Sequence, residues 1–560
     1  MREKKIDVIG RIAGYLDKHP EKDAIIFPVK VRGKNIEYGS ISFRELDEQS
    51  SYLAGYLKSR GMKKGDRAVV MLPTSLMLYI VITALIKLGV AIVFIDQWLG
   101  LKQIENSCKI SKPKAFIGNI KANFLRLYSK TFREVPIKLM IRKRGLAGLE
   151  YIKKLTRDTR KITEIEQYQP DSPMIVRFTT GNTGVPKGVK RTYAYVCTQL
   201  EAMSDFWRIK ENDIDMPTWP LNVLYNLVKG ATTIVPLVSY GRANKVDPAL
   251  LVRQIQDCNV TTASGSPFYW LRIIKYCKEK NIKLDNIRLV FIGGGPVSLK
   301  LIYSFPDVFP NAKAFIVYGS TEVFPLSWID MQEIRECTGD LTKNGKGICV
   351  GKPHPSLSVK IIKPVDGPVK LGKDGWKNLE IQQGSIGEII VSGPHVATQY
   401  YGDNGEIFLY NKIIDNEKKI WHRMGDIGYL DEDGRIWLAG RKNNIYSLKN
   451  KMFYPLMIEC MIDTLPEISK SALVKFSHHN KNEIQSLLVV EPANKKILKD
   501  RKSRVYLRNK IISICRSKNF HIDTVVFMKK IPLDPRHNTK VDYNLLHRML
   551  KSKTVHREQR

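Results

Sequence analysis

The chain reads as an α/β protein: a large N-terminal domain of parallel sheets with helices, carrying a small β-rich subdomain, then a smaller α+β lid. Three observations predict this. Short apolar runs alternate with amphipathic stretches through the first 440 residues, the pattern of parallel strands joined by helices. Near residue 345 the pattern changes to short strands punctuated by Gly, Pro and Asp-Gly turns. From about Lys442 helix and strand patterns mix in a unit of roughly 120 residues. A chain of 560 residues exceeds what one hydrophobic core supports, so residues 1–440 and 441–560 are expected to form separate domains.

In chain order, "ISFRELDEQSSYLAGYLKSRG" predicts a helix capped by Ser42 and stopped at Gly61. The apolar stretch that follows resembles a membrane span, but Pro73, Thr74 and Ser75 break it early and Lys87 and Gly89 break it again. It parses better as strand 68–72, helix 76–87 and strand 90–95, all buried. The same alternation returns in "LLVRQIQDCNVTTASGSP" and "NIRLVFIGGGPVSLKLIYSFPDVF". The β-rich part is carried by "GKGICVGKPHPSLSVKIIKP", "GEIIVSGPHVATQYYG" and "GYLDEDGRIWLAGR". The lid opens with "MFYPLMIECMIDTLPEISKSALVKF", continues through a strand at "IQSLLVVEP" and ends with a basic helix from Ser503.

Composition narrows the function classes. Hydrophobic content of 43% and charged content of 26% are those of a folded globular chain. Lys and Arg number 91 against 55 Asp and Glu, a net charge of +36. The lysines are spread along the whole chain and lack the aromatic interleaving of RNA-binding surfaces, so no nucleic-acid partner is expected. A general lysine-rich bias on solvated faces is the first reading of this charge, and peripheral contact with an anionic membrane is the alternative. The eight cysteines show no C-x-x-C and no Cys/His ligand spacing, which argues against a zinc site or disulfide framework. With no apolar secretory segment at the N-terminus, a cytoplasmic location is expected, peripheral at the membrane if that field acts. The chain is expected to be a monomer or a homodimer.

One stretch carries chemistry on its own terms. "IVRFTTGNTGVPKGVKRTY", residues 175–193, follows an apolar strand (174–178) and precedes a helix-like segment. Its glycines let backbone N–H groups turn inward, Thr179, Thr180 and Thr183 add hydroxyls, and Lys187 adds a point charge. Together these suit phosphate oxygens. The spacing of Gly181, Gly184, Lys187 and Gly188 is not that of a P-loop.

The stretch from Phe178 to Gly188 resembles the phosphate loop of the adenylate-forming enzymes (acyl-CoA synthetases, luciferases, peptide-synthetase adenylation domains), and further motifs follow in that family's order. The resemblance implies ATP or AMP contacts at Thr179, Thr180, Gly181, Asn182, Thr183, Gly184 and Lys187. It implies an adenine-facing backbone at Gly293, Gly294 and Gly295. In "VYGSTEV" it implies that Tyr318 stacks near the adenine with Gly319 and Ser320 beside it, that Thr321 touches the α-phosphate, and that Glu322 helps hold Mg²⁺. "HRMGDIGYLDEDGRIWLAGRK" is similar to the family's ribose motif, with Asp426 as acceptor for the ribose hydroxyls and Arg441 near ribose and phosphates. Lys540, in "IPLDPRHNTKVDYNLL", stands where the family's lysine bridges carboxylate and α-phosphate, although Thr539 replaces the usual preceding glycine. The reaction implied is attack of a carboxylate on the ATP α-phosphorus with loss of pyrophosphate, and the lid is expected to rotate between half-reactions.

Three stretches resemble one branch, the olefin β-lactone synthetases: "FIDQWLGLKQIENSCKISKPKAFIG", the His422-Arg423-Met424 lead-in and "DPRHNTKV". In that branch the substrate's own β-hydroxyl closes on the activated carbonyl. The hinge Asp of the family is Asn443 here, and the glycine beside which pantetheine passes in CoA ligases corresponds to Asn450 or Lys451. These departures disfavour coenzyme A as co-substrate, and a CoA thioester remains the alternative product. Trp219, Leu221, Val223 and Leu224 in "PTWPLNVLYN" suit an alkyl chain. The expected substrates are ATP and a medium-to-long acyl or β-hydroxy acyl carboxylate. The missing glycine and altered hinge keep open a third reading, a nucleotide-binding protein without turnover.

Overall fold

Local chain chemistry places the first elements. Ser42 accepts from Glu45 N at 3.2 Å while Glu45 Oε2 accepts from Ser42 N at 2.8 Å, a reciprocal cap that starts the helix Phe43–Ser59. Ser75 caps the next helix, Leu76–Lys87, and all twelve of its residues are buried. An all-round apolar helix must be enclosed on every side, and here the helices Phe43–Ser59 and Gly145–Leu155 and the strand Ala91–Ile95 pack against it. The computed structural model describes residues 8–95, 99–142, 145–180, 186–238, 246–403, 405–477, 484–534 and 538–552. Among them no helix is long and apolar enough to cross a membrane.

The first sheet has nine strands, with Lys313–Tyr318, Leu289–Gly293, Thr262–Gly265, Ile214–Pro217, Thr232–Ile234 and Asp23–Arg32 parallel in that order. The second has seven, with Ala91–Ile95, Arg67–Met71, Ala115–Asn119 and Ile137–Ile141 parallel. A third, six-stranded sheet is antiparallel and includes Gly387–Ser392, Ile420–Leu430 and Ile436–Arg441. Beyond it lie the hairpin Tyr446–Leu448/Lys451–Phe453 and a three-stranded sheet of Ile468–Ser477, Ile484–Pro492 and Thr524–Phe527. The α/β fold with a large parallel-sheet body, a β-rich part and a small α+β C-terminal part is as the sequence predicts.

A helix, Tyr193–Phe206, follows the stretch 175–193 as expected, and ahead of it the strand Pro186–Thr192, which the sequence reading did not single out, pairs antiparallel with Pro173–Thr180. The cause is an unpaired edge. Pro173–Thr180 pairs with Ala91–Ile95 on one side only, and its other row of backbone groups needs a partner. The two strands therefore form an antiparallel pair. Gly181, Asn182, Thr183 and Gly184 lie outside the described residues.

Two buried charged groups show what the packing costs. Lys87 Nζ, enclosed at the C-terminal end of its helix, donates to Asp47 Oδ1 at 2.5 Å, Asp47 O at 2.8 Å and Ser51 Oγ at 2.7 Å. Asp215 is fully buried with no cation: it accepts from Asn226 Nδ2 and from Thr262 Oγ1, both at 2.8 Å. Burial pushes its carboxyl up to about 7. An acid raised above its unfolded value of about 3.9 binds its proton more tightly when folded. Its contribution to stability is present at low pH and lost as pH rises from about 4 to 7. Asp215→Asn is expected to remove this slope, about a tenfold change in folding equilibrium per pH unit in that window. Urea melts of wild type and variant at pH 5 and pH 7 measure it, and parallel pH dependence in the two proteins would refute it.

Candidate active site

The carboxyl ends of the parallel strands, the usual place for ligands in open α/β sheets, open onto a cavity of about 1070 Å³. The hairpin Pro173–Thr180/Pro186–Thr192 supplies one wall. Its register pairs Ile175 with Arg191, Arg177 with Val189 and Thr179 with Lys187, so alternate residues share a face. Ile175, Arg177, Thr179, Lys187 and Arg191 all line the cavity. Three cations thus face one space, and burial lowers the pKa of both Lys187 and Arg191. Lys187 Nζ donates to Asn411 Oδ1 at 2.7 Å. Thr180 closes the strand opposite Pro186.

The segment after the strand Lys313–Tyr318 supplies the second wall. Ser320 Oγ accepts from Glu322 N at 3.2 Å and Val323 N at 3.3 Å, a hydroxyl-stabilised turn that aims Glu322 inward. Arg191 holds the carbonyl of Thr321 through Nε at 3.1 Å and Nη2 at 2.8 Å. Gly319, Ser320, Thr321 and Glu322 line the cavity. Burial alone would raise the Glu322 carboxyl, but His422, Lys412 and Lys187 outweigh it and hold it below the ordinary carboxylate range. Tyr400 Oη donates to Glu322 Oε1 at 3.3 Å. Lys412, itself buried and pushed down to about 7 by that burial, donates to Ala397 O behind this carboxylate.

The third wall comes from the antiparallel sheet. Asp426 accepts from Tyr318 Oη through Oδ2 and from Arg441 Nη1 through Oδ1, both at 2.7 Å. Burial and the Asp426 carboxylate raise the Tyr318 phenol well above its ordinary value. Arg441 is more than half exposed, so this ion pair adds little stability and leaves guanidinium donors facing the cavity. Three residues earlier on the same strand the geometry is different: Arg423 and Glu388 are almost fully buried and meet through two bonds of 2.9 and 2.6 Å. Removing one partner of such a pair costs about 3–5 kcal/mol. His422 Nδ1 lies 3.2 Å from the carbonyl oxygen of Asn411, and its Nε2 lies 3.9 Å from Glu322 Oε2.

The adenine-motif glycines end the strand Leu289–Gly293. Gly294 has φ +83°, a conformation other residues avoid, and turns the chain before Ser298 caps the helix Leu299–Ser304. Gly295 has a different reason: a Cβ there would fall inside van der Waals contact with Thr539 Oγ1. The residue standing in place of the usual glycine before Lys540 thus packs onto Gly295, and its hydroxyl has no hydrogen-bond partner among the described residues. Lys540 also lines the cavity, and burial in the cleft together with the Arg441 charge lowers its pKa. Asn443 sits in a single 3₁₀ turn, Lys442–Asn444, between the antiparallel sheet and the hairpin Tyr446–Leu448/Lys451–Phe453, and lines the cavity. Lys449 and Asn450 form the tip of that hairpin, both with positive φ. Of the apolar candidates, Trp219, Leu221 and Leu224 line the cavity, whereas Val223 is buried in the core and is not part of its wall.

Sequence reasoning did not single out Arg177, Arg191, Asn411 or Lys412. The alternation in "IVRFT" and "GVKRT" was a signal for the first two once strands are assumed; the last two carry no local signal.

The fold is found in solved structures. The chain superposes on ATP-bound MatB from Rhodopseudomonas palustris with a TM-score of 0.75, covering 98% of this chain and 99% of that one at 18% identity. It superposes on the o-succinylbenzoate coenzyme A synthetase MenE from Bacillus subtilis, in complex with AMP, with a TM-score of 0.71, 97% and 98% coverage and 19% identity. At such identities the likeness establishes the fold. The chain belongs to the AMP-binding enzyme family, whose pattern matches residues 14–401. Among curated proteins it is similar to the olefin β-lactone synthetases of Xanthomonas campestris pv. campestris and Stenotrophomonas maltophilia, each 27% identical over 441 residues, 78% of this chain and of theirs. It is also similar to a putative acyl–CoA ligase of Bacillus subtilis, 24% identical over 528 residues, 92% of this chain and 95% of that one. The resemblance read from the motifs is borne out, and the chemistry class is that of AMP-forming acid ligases.

The Gly295–Thr539 contact makes a prediction. Gly295→Ala is expected to push residues 538–541 away from the body and to raise amide exchange there, and Thr539→Gly in the same chain to restore protection. Unchanged protection in Gly295→Ala would show that the two segments do not meet in solution.

Proposed function

We propose that the protein activates a medium-to-long acyl carboxylate as its acyl-adenylate, and that the favoured substrate carries a β-hydroxyl that then closes to a β-lactone. One observation carries the reading: a single cavity joins the polar cluster of Lys187, Glu322, Asp426, Arg441 and Lys540 to an apolar wall of Val70, Leu72, Leu78, Phe94, Leu200, Met203 and Leu224. Nucleotide and alkyl chain would share one enclosure, with the carboxylate at the boundary. The similarity to olefin β-lactone synthetases supports the second step.

In this reading Asp426 accepts from the ribose hydroxyls while Tyr318 and the backbone of 293–295 flank the adenine. Thr179, Thr180 and the loop 181–184 bind phosphate oxygens, and Thr321 meets the α-phosphate. Lys187, Arg441 and Lys540 neutralise charge as the α-phosphorus is attacked, so catalysis is mainly positioning and electrostatics. Among the described residues no group of three His, Cys, Asp or Glu side chains could cage a metal. That fits Mg²⁺, which commonly takes one or two carboxylates and completes its shell with water and substrate phosphates, and Glu322 is the carboxylate that would hold it. When bound, Mg²⁺ would draw off phosphate charge. The segment around Asn443 would be the hinge between domains 1–440 and 441–560.

Pyrophosphate release with ATP, Mg²⁺ and a panel of fatty and β-hydroxy fatty acids, with and without coenzyme A and with products weighed by mass spectrometry, tests the reading. Release with β-hydroxy acids, loss of water and no need for coenzyme A is expected. A coenzyme A thioester would make the protein an acyl-CoA ligase, and no release with any acid would end the reading.

Three variants probe the charge. Lys540→Ala should slow adenylation by on the order of 10²–10³ with unchanged thermal melting. The pKa values of Lys187 and Lys540 are lowered, so the working cation is present at lower pH and lost as pH rises through the shifted value. An alkaline decline in rate is therefore expected below pH 10.5, and Lys540→Arg should move it upward. A decline that neither Lys540→Arg nor Lys187→Arg moves would clear both lysines.

A further inference from the structure

The layer of short helices over one face of the seven-stranded sheet is not fully covered. Helices Leu101–Ser111, Ile120–Asn123, Leu125–Tyr128 and Lys130–Arg133 bury Ile104, Cys108, Ala122 and Phe132 against that face. Within the same segment Ile120, Phe124, Leu127 and Tyr128 are 48, 53, 64 and 76% exposed. Single exposed apolar residues are ordinary, but four large ones within nine positions are a patch that calls for a partner. Its charge says which partner. Residues 106–133 hold seven Lys and Arg and no Asp or Glu, against a chain average of about three cations to two acids. Lys121, Lys130 and Arg133 are exposed around the apolar tip, and among the described residues only Lys130 forms an ion pair, with Glu134 at 3.5 Å.

The position relates the patch to the cavity. Strands Arg67–Met71 and Ala115–Asn119 pair with Met71 opposite Gly118, which sets Asn119 beside Leu72. Leu72 lines the cavity, and Ile120 is the residue after Asn119. The patch therefore begins one strand away from the cavity wall, at the same edge of the sheet.

We propose that this edge, from Ile120 to Arg133, docks on an anionic lipid bilayer, with Phe124, Leu127 and Tyr128 entering the headgroup region and Lys121, Lys130 and Arg133 meeting lipid phosphates. Aromatic and aliphatic tips ringed by cations are the combination that binds such interfaces. The consequence for substrate rests on the proposed function: an acyl chain dissolved in the bilayer would lie next to the enclosure that takes it. A second copy of this chain is the competing occupant, and it is disfavoured because two such cationic patches would repel.

The full chain is sedimented with vesicles of phosphatidylcholine alone and of phosphatidylcholine with 30% phosphatidylglycerol. Binding to the anionic vesicles only, weakened at least tenfold between 50 and 500 mM NaCl, is expected. The variant Phe124→Ser/Leu127→Ser/Tyr128→Ser should lose at least tenfold in binding while its melting temperature and any pyrophosphate release with a soluble short acid are kept. If that variant does not fold, Lys121→Glu/Lys130→Glu replaces it with the same expectation. No sedimentation of the wild type, or equal binding by a folded variant, overturns the proposal. So does a wild-type dimer, seen by light scattering, that the variant breaks and that does not bind vesicles. Vesicle binding is read without catalysis, so failure of the proposed reaction and failure of docking are separate results.

Discussion

The Asp426 carboxylate ties the molecule's parts at the place where they must agree. It sits on the antiparallel sheet, accepts from Tyr318 at the end of a parallel strand of the nine-stranded sheet, and accepts from Arg441 at the last residue before the turn toward the C-terminal part. A carboxylate has no donor, so both lone-pair directions must be met by groups brought from elsewhere. Both partners arrive at 2.7 Å. The sheets are thereby registered against each other at the cavity, and the strand that bears Asp426 is held from behind by the buried Arg423–Glu388 pair.

The electrostatics around Glu322 follow the same logic with higher stakes. A buried carboxylate is costly unless cations and donors offset its desolvation. Here Lys412 and Lys187 stand near it, and Arg191 fixes the preceding carbonyl. The hairpin is what makes this affordable: an antiparallel partner strand puts Lys187 and Arg191 on the same face as Arg177 and Thr179. Excess positive charge inside an enclosed space is unfavourable by itself, and an incoming polyanion relieves it. That is a physical reason for a nucleotide to be drawn into this cavity.

The C-terminal part meets the body through shape as well as charge. Thr539 occupies the volume that a side chain at Gly295 would need, so an apparent defect in the lysine motif is matched by a glycine some 240 residues earlier. Lys540 then enters the cavity beside Asp426 and Arg441. The opposing segment leaves the room that Thr539 takes.

Much of this was legible in the residues. The capped helix from Phe43, the wholly apolar helix 76–87, the strand-turn rhythm after residue 345 and the ordered motifs from Phe178 to Lys540 depend on patterns a few residues long, which periodicity and turn chemistry dictate locally. The sequence by itself therefore determined the sheet-and-helix architecture and the family of the site. Only the tertiary structure decided that Pro186–Thr192 pairs with Pro173–Thr180, that Leu224 and not Val223 faces the cavity, that Arg423 pairs with Glu388, that Lys412 is buried behind Glu322, and that four apolar side chains between 120 and 128 remain outside. Each of these depends on which distant surface covers a residue, and burial, which sets the cost of a charge and the direction of a side chain, is a property of the assembled layers that no short stretch of chain encodes.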